Sequence, residues 1–362
     1  MSRSTRQPKG GGNKAIALKL CKNVIIRDIT IRKGGHFGIL ATGVDNLVID
    51  DVKMDTDRDG MDIDACRNVR ISNCSINSPW DDGICLKSTY ALGEARPCEN
   101  ITITNCQVSG WEMGSMLDGT YRQRKGGPGT GRIKFGTESN GGFKNITISN
   151  CVFTYCRGLA LETVDGALLE DVSISNITMR DIGNSPIFMR LGARLRGPEG
   201  TKPGELRRIK ISNVVVHNAA ARLGCIISGI PGHDIEGVSI SDVRIYYAGG
   251  GTKEQAATRP AEKENAYPEP AMFGDMPSYG FFIRHVNDIQ LNNVELSVEK
   301  DDARPAFVLE DVRGAEFNRI RTPRGEAGGG NFVLRNVAQF GATRVDGMSD
   351  TAKDRVADEE RF

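Results

Sequence analysis

The chain has 362 residues, 43 of them Gly, with 47 Lys+Arg against 46 Asp+Glu and a formal net charge of +1. Balanced charge argues against a broad polyanion-binding surface such as that of a nucleic-acid binder, and no apolar run approaches the roughly 18 residues of a helical membrane span. Gly without a collagen period, beside only 14 Pro, fits neither collagen nor a Pro/Gly-rich disordered chain, so the glycine excess points to a repeat.

Residues 1–13 are basic and polar, carry no apolar core of a signal peptide, and are expected to be a disordered lead. Nothing there resembles an amphipathic cap, so upstream coils or a partner are expected to cover the first sheet edge. From Cys21 onward one phrase recurs: CKNVIIRDITI, VDNLVIDDVKM from Val44, CRNVRISNCSI from Cys66 and CENITITNCQV from Cys98. Further copies start at Phe143, Leu169, Leu206, Ile235 and Val286, with a degenerate one at Val312. The first starts are 23 and 22 residues apart and later ones 26 to 51, a base period with insertions. That is the pattern of a solenoid whose loops grow out of a constant coil.

Each copy alternates with period 2 and is rich in β-branched residues, as in Val69 and Ile71 against Arg70 and Ser72. No helical stripe competes, so the phrase is strand. Strands recurring once per coil run parallel to their counterparts in the next. The expected fold is all-β, a parallel β-helix of about ten coils over residues 14–347, with glycine at the corners and a charged, frayed tail over 348–362. The nine cysteines read as small buried rungs, Cys74, Cys106 and Cys151 sharing one phase, and no Cys-x-x-Cys pair suggests a metal site.

The chemistry lies on two neighbouring coils. Asp59-Gly60-Met61-Asp62 aligns with Asp82-Gly83-Ile84-Cys85 at an offset of 23, one coil, which stacks Asp59 and Asp82 about 4.8 Å apart at strand starts. Asp81 adds a third carboxyl. Like charges this close raise at least one pKa, as acid–base cleavage of a glycosidic bond requires; an acidic ladder that merely binds Ca²⁺ or water is the alternative. Arg132 and Lys134, on one face of Gly131-Arg132-Ile133-Lys134, supply two cations suited to a sugar carboxylate. One loop-bearing coil is expected between them and the acids.

The ordered motifs Asp57-Arg58-Asp59-Gly60-Met61-Asp62, Trp80-Asp81-Asp82-Gly83 and Gly131-Arg132-Ile133-Lys134 resemble those of glycoside hydrolase family 28, the polygalacturonases and rhamnogalacturonan hydrolases. The likeness spans at least residues 20–320. It implies a right-handed, pectin-lyase-like β-helix and an inverting hydrolysis without cofactor or metal. Asp81 would be the general acid, Asp59 and Asp82 would activate the water, and Arg132 and Lys134 would hold a uronate. It further implies an acidic polysaccharide or oligosaccharide as substrate, and an extracytoplasmic location. The family's Gly-His-Gly segment has no counterpart with histidine: the stretch Ser109-Gly110-Trp111-Glu112 to Asp118-Gly119 lacks one. Trp111, Glu112 and Asp118 are candidate replacements there.

Three insertions, 119–130, 191–205 and 248–280, are long enough to shape a cleft; the last contains Tyr267-Pro268-Glu269-Pro270. Glu162 and Arg190 follow apolar strand residues on later coils and either continue the cleft wall or pair with each other. His285 starts a strand beside the 248–280 insertion and is a candidate substrate contact, whereas His36, His217 and His233 receive no role. Trp80 and Trp111 flank the central motifs, to stack on a sugar or to pack in the core. A Ca²⁺-dependent polysaccharide lyase and a non-catalytic carbohydrate-binding solenoid are the competing functions.

Overall fold

The computed structural model describes residues 12–323 and 330–362, so residues 1–11 of the expected lead over 1–13 lie outside the described residues, while its last residue, Asn13, already accepts from the His36 and Phe37 N–H groups. The repeated phrase forms one continuous parallel ladder. Val24, Leu47, Val69, Ile101, Ile146, Val172, Ile209, Val238, Ile289, Ala315 and Phe340 stand one above the other. Eleven rungs result, one more than the repeat shows, because the last copy has lost the Asn-centred phrase while keeping its apolar alternation. The inward residues of these strands are buried against each other in one core that runs the length of the coil.

Asparagine, more than glycine, turns the repeated corners. Asn46, Asn68, Asn100 and Asn145 sit at φ of 54° to 57°, a left-handed conformation that Asn tolerates better than other residues with a side chain. Each amide donates to the Asn one coil earlier, Asn46 to Asn23 at 2.9 Å, Asn68 to Asn46 at 3.2 Å, Asn100 to Asn68 at 3.0 Å and Asn145 to Asn100 at 2.7 Å. A second ladder joins Asn73, Asn105, Asn150 and Asn176. Glycine could turn the chain but could not make these bonds. The cysteines behave as expected: all nine are free thiols and eight are buried.

Residues expected to fray do not. Thr351–Arg361 is a strand that pairs antiparallel with Phe332–Val345, Val356 opposite Val337. Phe362 stacks on Phe340 with centroids 6.3 Å apart. The alternating apolar residues are few, yet they cover the edge that the last coil would otherwise expose, so residues 348–362 belong to the folded body.

Candidate active site on the carboxylate-bearing sheet

Every coil also contributes a strand to a second parallel sheet, which carries the candidate site. Asp59–Asp64, Ile84–Ser88, Ile133–Ser139 and Leu159–Thr163 stack in that order. Ile84 lies over Met61, and the Gly60 N–H donates to the Asp82 carbonyl at 2.9 Å, so Asp59 and Asp82 do begin adjacent strands. The glycines permit this closeness: a Cβ on Gly60 would stand 2.4 Å from the Gly83 oxygen, and Gly131, at φ of 43°, would meet the Ser109 oxygen at 2.0 Å.

The expected intervening coil does not exist. Ile84 pairs directly with Ile133 and Cys85 with Lys134, while the chain between Ser109 and Ile133 leaves the coil as a loop. Arg132 and Lys134 therefore abut the carboxylates. Both already carry carboxylate partners. Arg132 Nε donates to Asp82 Oδ1 at 2.8 Å and Nη2 to Glu269 Oε1 at 2.5 Å. Lys134 Nζ stands 3.4 Å from Glu162 and 3.7 Å from Asp82. Both cations are 1% exposed.

Burial and these pairs divide the three aspartates. Burial opposes ionisation of Asp82, but Lys134 and Arg132 outweigh it and hold the carboxyl at about 2. Asp59 has no such cation in contact; burial, then the charges of Asp62 and Asp81, push it well above the usual carboxylate range. Burial likewise pushes Asp62 up to about 7, against the pull of Lys87, whose ammonium is 2.8 Å away. Asp81 is the most solvent-accessible of the three and is paired with Arg58, whose Nε lies 3.1 Å from Oδ2. The expectation that one carboxyl of the cluster rises is met by Asp59, so of the two expected water activators only Asp82 is a ready carboxylate.

Sequence reasoning left out His36, and its neighbour in space is Asp59. The preceding coil pairs Phe37 with Asp59, placing His36 Nε2 3.7 Å from Asp59 Oδ2. Burial, then Arg58, lower the imidazole pKa, which favours a neutral ring. The one-coil offset between Phe37 and Asp59 was the available signal. One ligand atom each of His36, Asp59 and Asp81 lie within 4.8 Å of one another, a spacing a metal ion fits, although the Arg58 guanidinium on Asp81 already brings positive charge to that place.

The remaining candidates separate into two groups. Glu162 and Glu269 join the cluster: Glu162 is fully buried beside Lys134, and Glu269 bridges Arg132 and Arg157, the latter at 3.1 Å. The others do not. Arg190 is 1% exposed and donates to Ser228 and Gly229 at 2.9 Å and to the carbonyls of Glu262 and Lys263, so it neither pairs with Glu162 nor lines a cleft. His285 bonds Glu262 at 3.1 Å under the same loop. Trp111 stacks flat on Tyr155, centroids 4.4 Å apart and 8° between planes. Asp118 and Glu112 sit exposed on the 110–130 loop, paired with Arg122.

A physical reason explains this split. Beyond Lys134 the outward row of the sheet turns apolar, Ala160, Phe188, Ile226, Phe282 and Val308, and the 250–280 loop covers it with Phe273 and Met276. Arg190 and Arg284 anchor that cover through its carbonyls, Arg284 Nη1 reaching Pro260 at 2.6 Å. The cleft is thus closed on the side of the later coils. On the other side, Asp57, Pro79, Trp80, Glu112, Met113, Arg124 and Lys125 line an open hollow of about 560 Å³. Trp80 is 47% exposed there, with the Arg124 guanidinium 4.0 Å from its ring centroid.

Comparison with known proteins agrees with this architecture. The family model described as a right handed beta helix region matches residues 10–122, and no curated protein matches by sequence. Among solved structures, the chain is similar to a hyperthermoactive exopolygalacturonase from Thermotoga maritima, at 17% identity and a TM-score of 0.57, over 78% of this chain and 54% of that one. It is also similar to a family 28 exopolygalacturonase from Yersinia enterocolitica, at 17% identity and a TM-score of 0.59, over 81% of this chain and 46% of that one. The chain thus spans about half the length of these two proteins. Parallel strand stacking, the family match and these structures together establish the fold as a right-handed parallel β-helix, the fold of those two exopolygalacturonases.

Proposed function

We propose that the chain is a glycoside hydrolase that cleaves a pectin-related or other uronic-acid-containing polysaccharide with inversion. The division of labour among three carboxyls on two adjacent coils carries this reading: Asp82 ionised, Asp59 favouring its proton, and Asp81 the most exposed of the three. In the proposed step a water attacks the anomeric carbon and passes its proton to Asp82. The glycosidic C–O bond breaks, and the leaving oxygen takes a proton from Asp81. Asp59, within 4.8 Å of Asp81, supplies that proton; Asp82 then releases the proton it took from the water to solvent, and Asp59 takes one up again. In this scheme Arg58 parts from Asp81 when substrate enters, and Asp81 takes a proton from Asp59 before it acts as the acid. A matched acid and base contribute roughly 10²–10⁴-fold each to such a reaction.

The test is a reducing-sugar assay on a panel of pectic oligosaccharides, followed also for ultraviolet absorbance. New reducing ends without absorbance, lost in Asp81→Asn and in Asp82→Asn while binding persists, are the expected result. Absorbance from an unsaturated uronate would favour elimination. Unchanged hydrolysis in Asp81→Asn would remove that residue from the mechanism, and binding without cleavage by the wild type would leave a carbohydrate-binding solenoid.

A further inference from the structure

The cations beside the aspartates all have carboxylates of their own. Arg58 faces Asp81, Lys87 faces Asp62 at 2.8 Å, Lys134 faces Glu162 and Asp82, and Arg132 and Arg157 share Glu269. Glu269 differs from the other acids in origin. It arrives on the 250–280 loop, 137 positions along the chain from Arg132, and its side chain is 24% exposed while Arg132 beneath is 1% exposed. Burial opposes its charge, yet Arg132 and Arg157 outweigh that and lower its pKa, so it is an anion. It occupies the two guanidinium groups as the carboxylate of an acidic sugar would. Its neighbour Tyr267 lies over Lys134, 5.4 Å from Nζ to the ring centroid, and screens that cation too.

We propose that Glu269 is a specificity-determining residue that makes the sugar position over Arg132 reject a uronate and accept an uncharged unit, a neutral sugar or an esterified uronic acid. The inference rests on the hydrolase reading for its substrate but not for its geometry. A free uronate arriving there meets the partly exposed Glu269 carboxylate and cations that already carry carboxylates, and like charges placed side by side oppose binding. An uncharged unit meets neither penalty. In an acidic polysaccharide the charged units are then held elsewhere along the chain.

The test uses one sugar chain in two charge states, tetragalacturonate and its full methyl ester, titrated calorimetrically into the wild type and Glu269→Gln at pH 7 and low salt. The wild type is expected to bind the ester at least ten-fold more tightly than the acid. Glu269→Gln, which leaves Arg157 uncompensated and Arg132 paired with Asp82 alone, is expected to shift that ratio at least ten-fold toward the acid. A wild type that prefers the acid, or a ratio unchanged in the variant, overturns the proposal. A second measurement is independent of any glycan: thermal unfolding of Glu269→Ala in acetate against chloride at equal concentration. Acetate is expected to raise the variant's midpoint and leave the wild type's alone. If neither oligosaccharide binds but acetate rescues Glu269→Ala, the carboxylate-filled position stands and the pectic substrate falls. If neither oligosaccharide binds and acetate has no specific effect, the proposal is overturned.

Discussion

Glu162 offers a quantitative check on the electrostatics of the site. Its side chain is fully buried, its Oε2 accepts from Thr137 at 3.4 Å, and the Lys134 ammonium is 3.4 Å away. Burial pushes its carboxyl up to about 7, with Lys134 and Arg132 pulling the other way. An unfolded glutamate titrates near 4.3, so the folded state binds this proton more tightly. Stability from this group is therefore fully present below about pH 4 and is lost as pH rises toward 7. The gap of about 2.7 pH units corresponds to about 3 kcal/mol once half-titration at pH 7 is counted. Glu162→Gln keeps the shape and removes the titration. Relative to wild type, the variant should gain about 3 kcal/mol between pH 4.5 and 7.5. With ~2.1 cal/mol/K of unfolding entropy per residue that is about 4 °C in Tm. Thermal unfolding of both proteins at the two pH values measures the difference, other groups cancelling. A variant that loses stability more at pH 7.5 than at pH 4.5 would show Glu162 ionised and holding Lys134, and the reasoning would fail.

Other consequences are simpler. Trp80→Ala should weaken oligosaccharide binding about 5- to 10-fold, the worth of one aromatic platform at about 1–1.5 kcal/mol, with the fold unchanged by circular dichroism; undiminished affinity would remove Trp80 from the cleft. Gly60→Ala places a Cβ 2.4 Å from the Gly83 oxygen and should cost at least about 2 kcal/mol together with activity, whereas a neutral result would mean the two coils can part. Deleting residues 351–362 uncovers the Phe332–Val345 strand edge and should produce oligomers or aggregate in light scattering; a stable monomer would show that this strand is not needed as a cover.

Everything that depends on the coil period is readable from the residues alone. A period-2 alternation of β-branched residues is strand wherever it falls, and a repeat of 22–23 residues brings residue i over residue i+23. That is how Asp59 and Asp82 could be stacked from their spacing alone, whereas the cysteine rungs, 32 and 45 residues apart, show through the Asn-Cys phrase they share. An offset of 22 places Phe37 over Asp59, so His36 was legible too, although a lone histidine carries no motif. Where insertions break the period, the arithmetic loses its hold. Only the tertiary structure decided that residues 110–130 leave the coil, which brings Arg132 against Asp82 and removes the coil expected between them. It alone showed that an apolar outer row past Lys134 draws the 250–280 loop across the sheet, burying Arg190 and His285 and delivering Glu269 to Arg132. Stacking within the coil is set by local alternation, which every copy of the repeat carries. The landing place of a long loop is set by contacts with residues more than a hundred positions away, and the charge that separates the aspartates comes from Arg132 and Lys134, which the 110–130 excursion brings onto Asp82 and not onto Asp59.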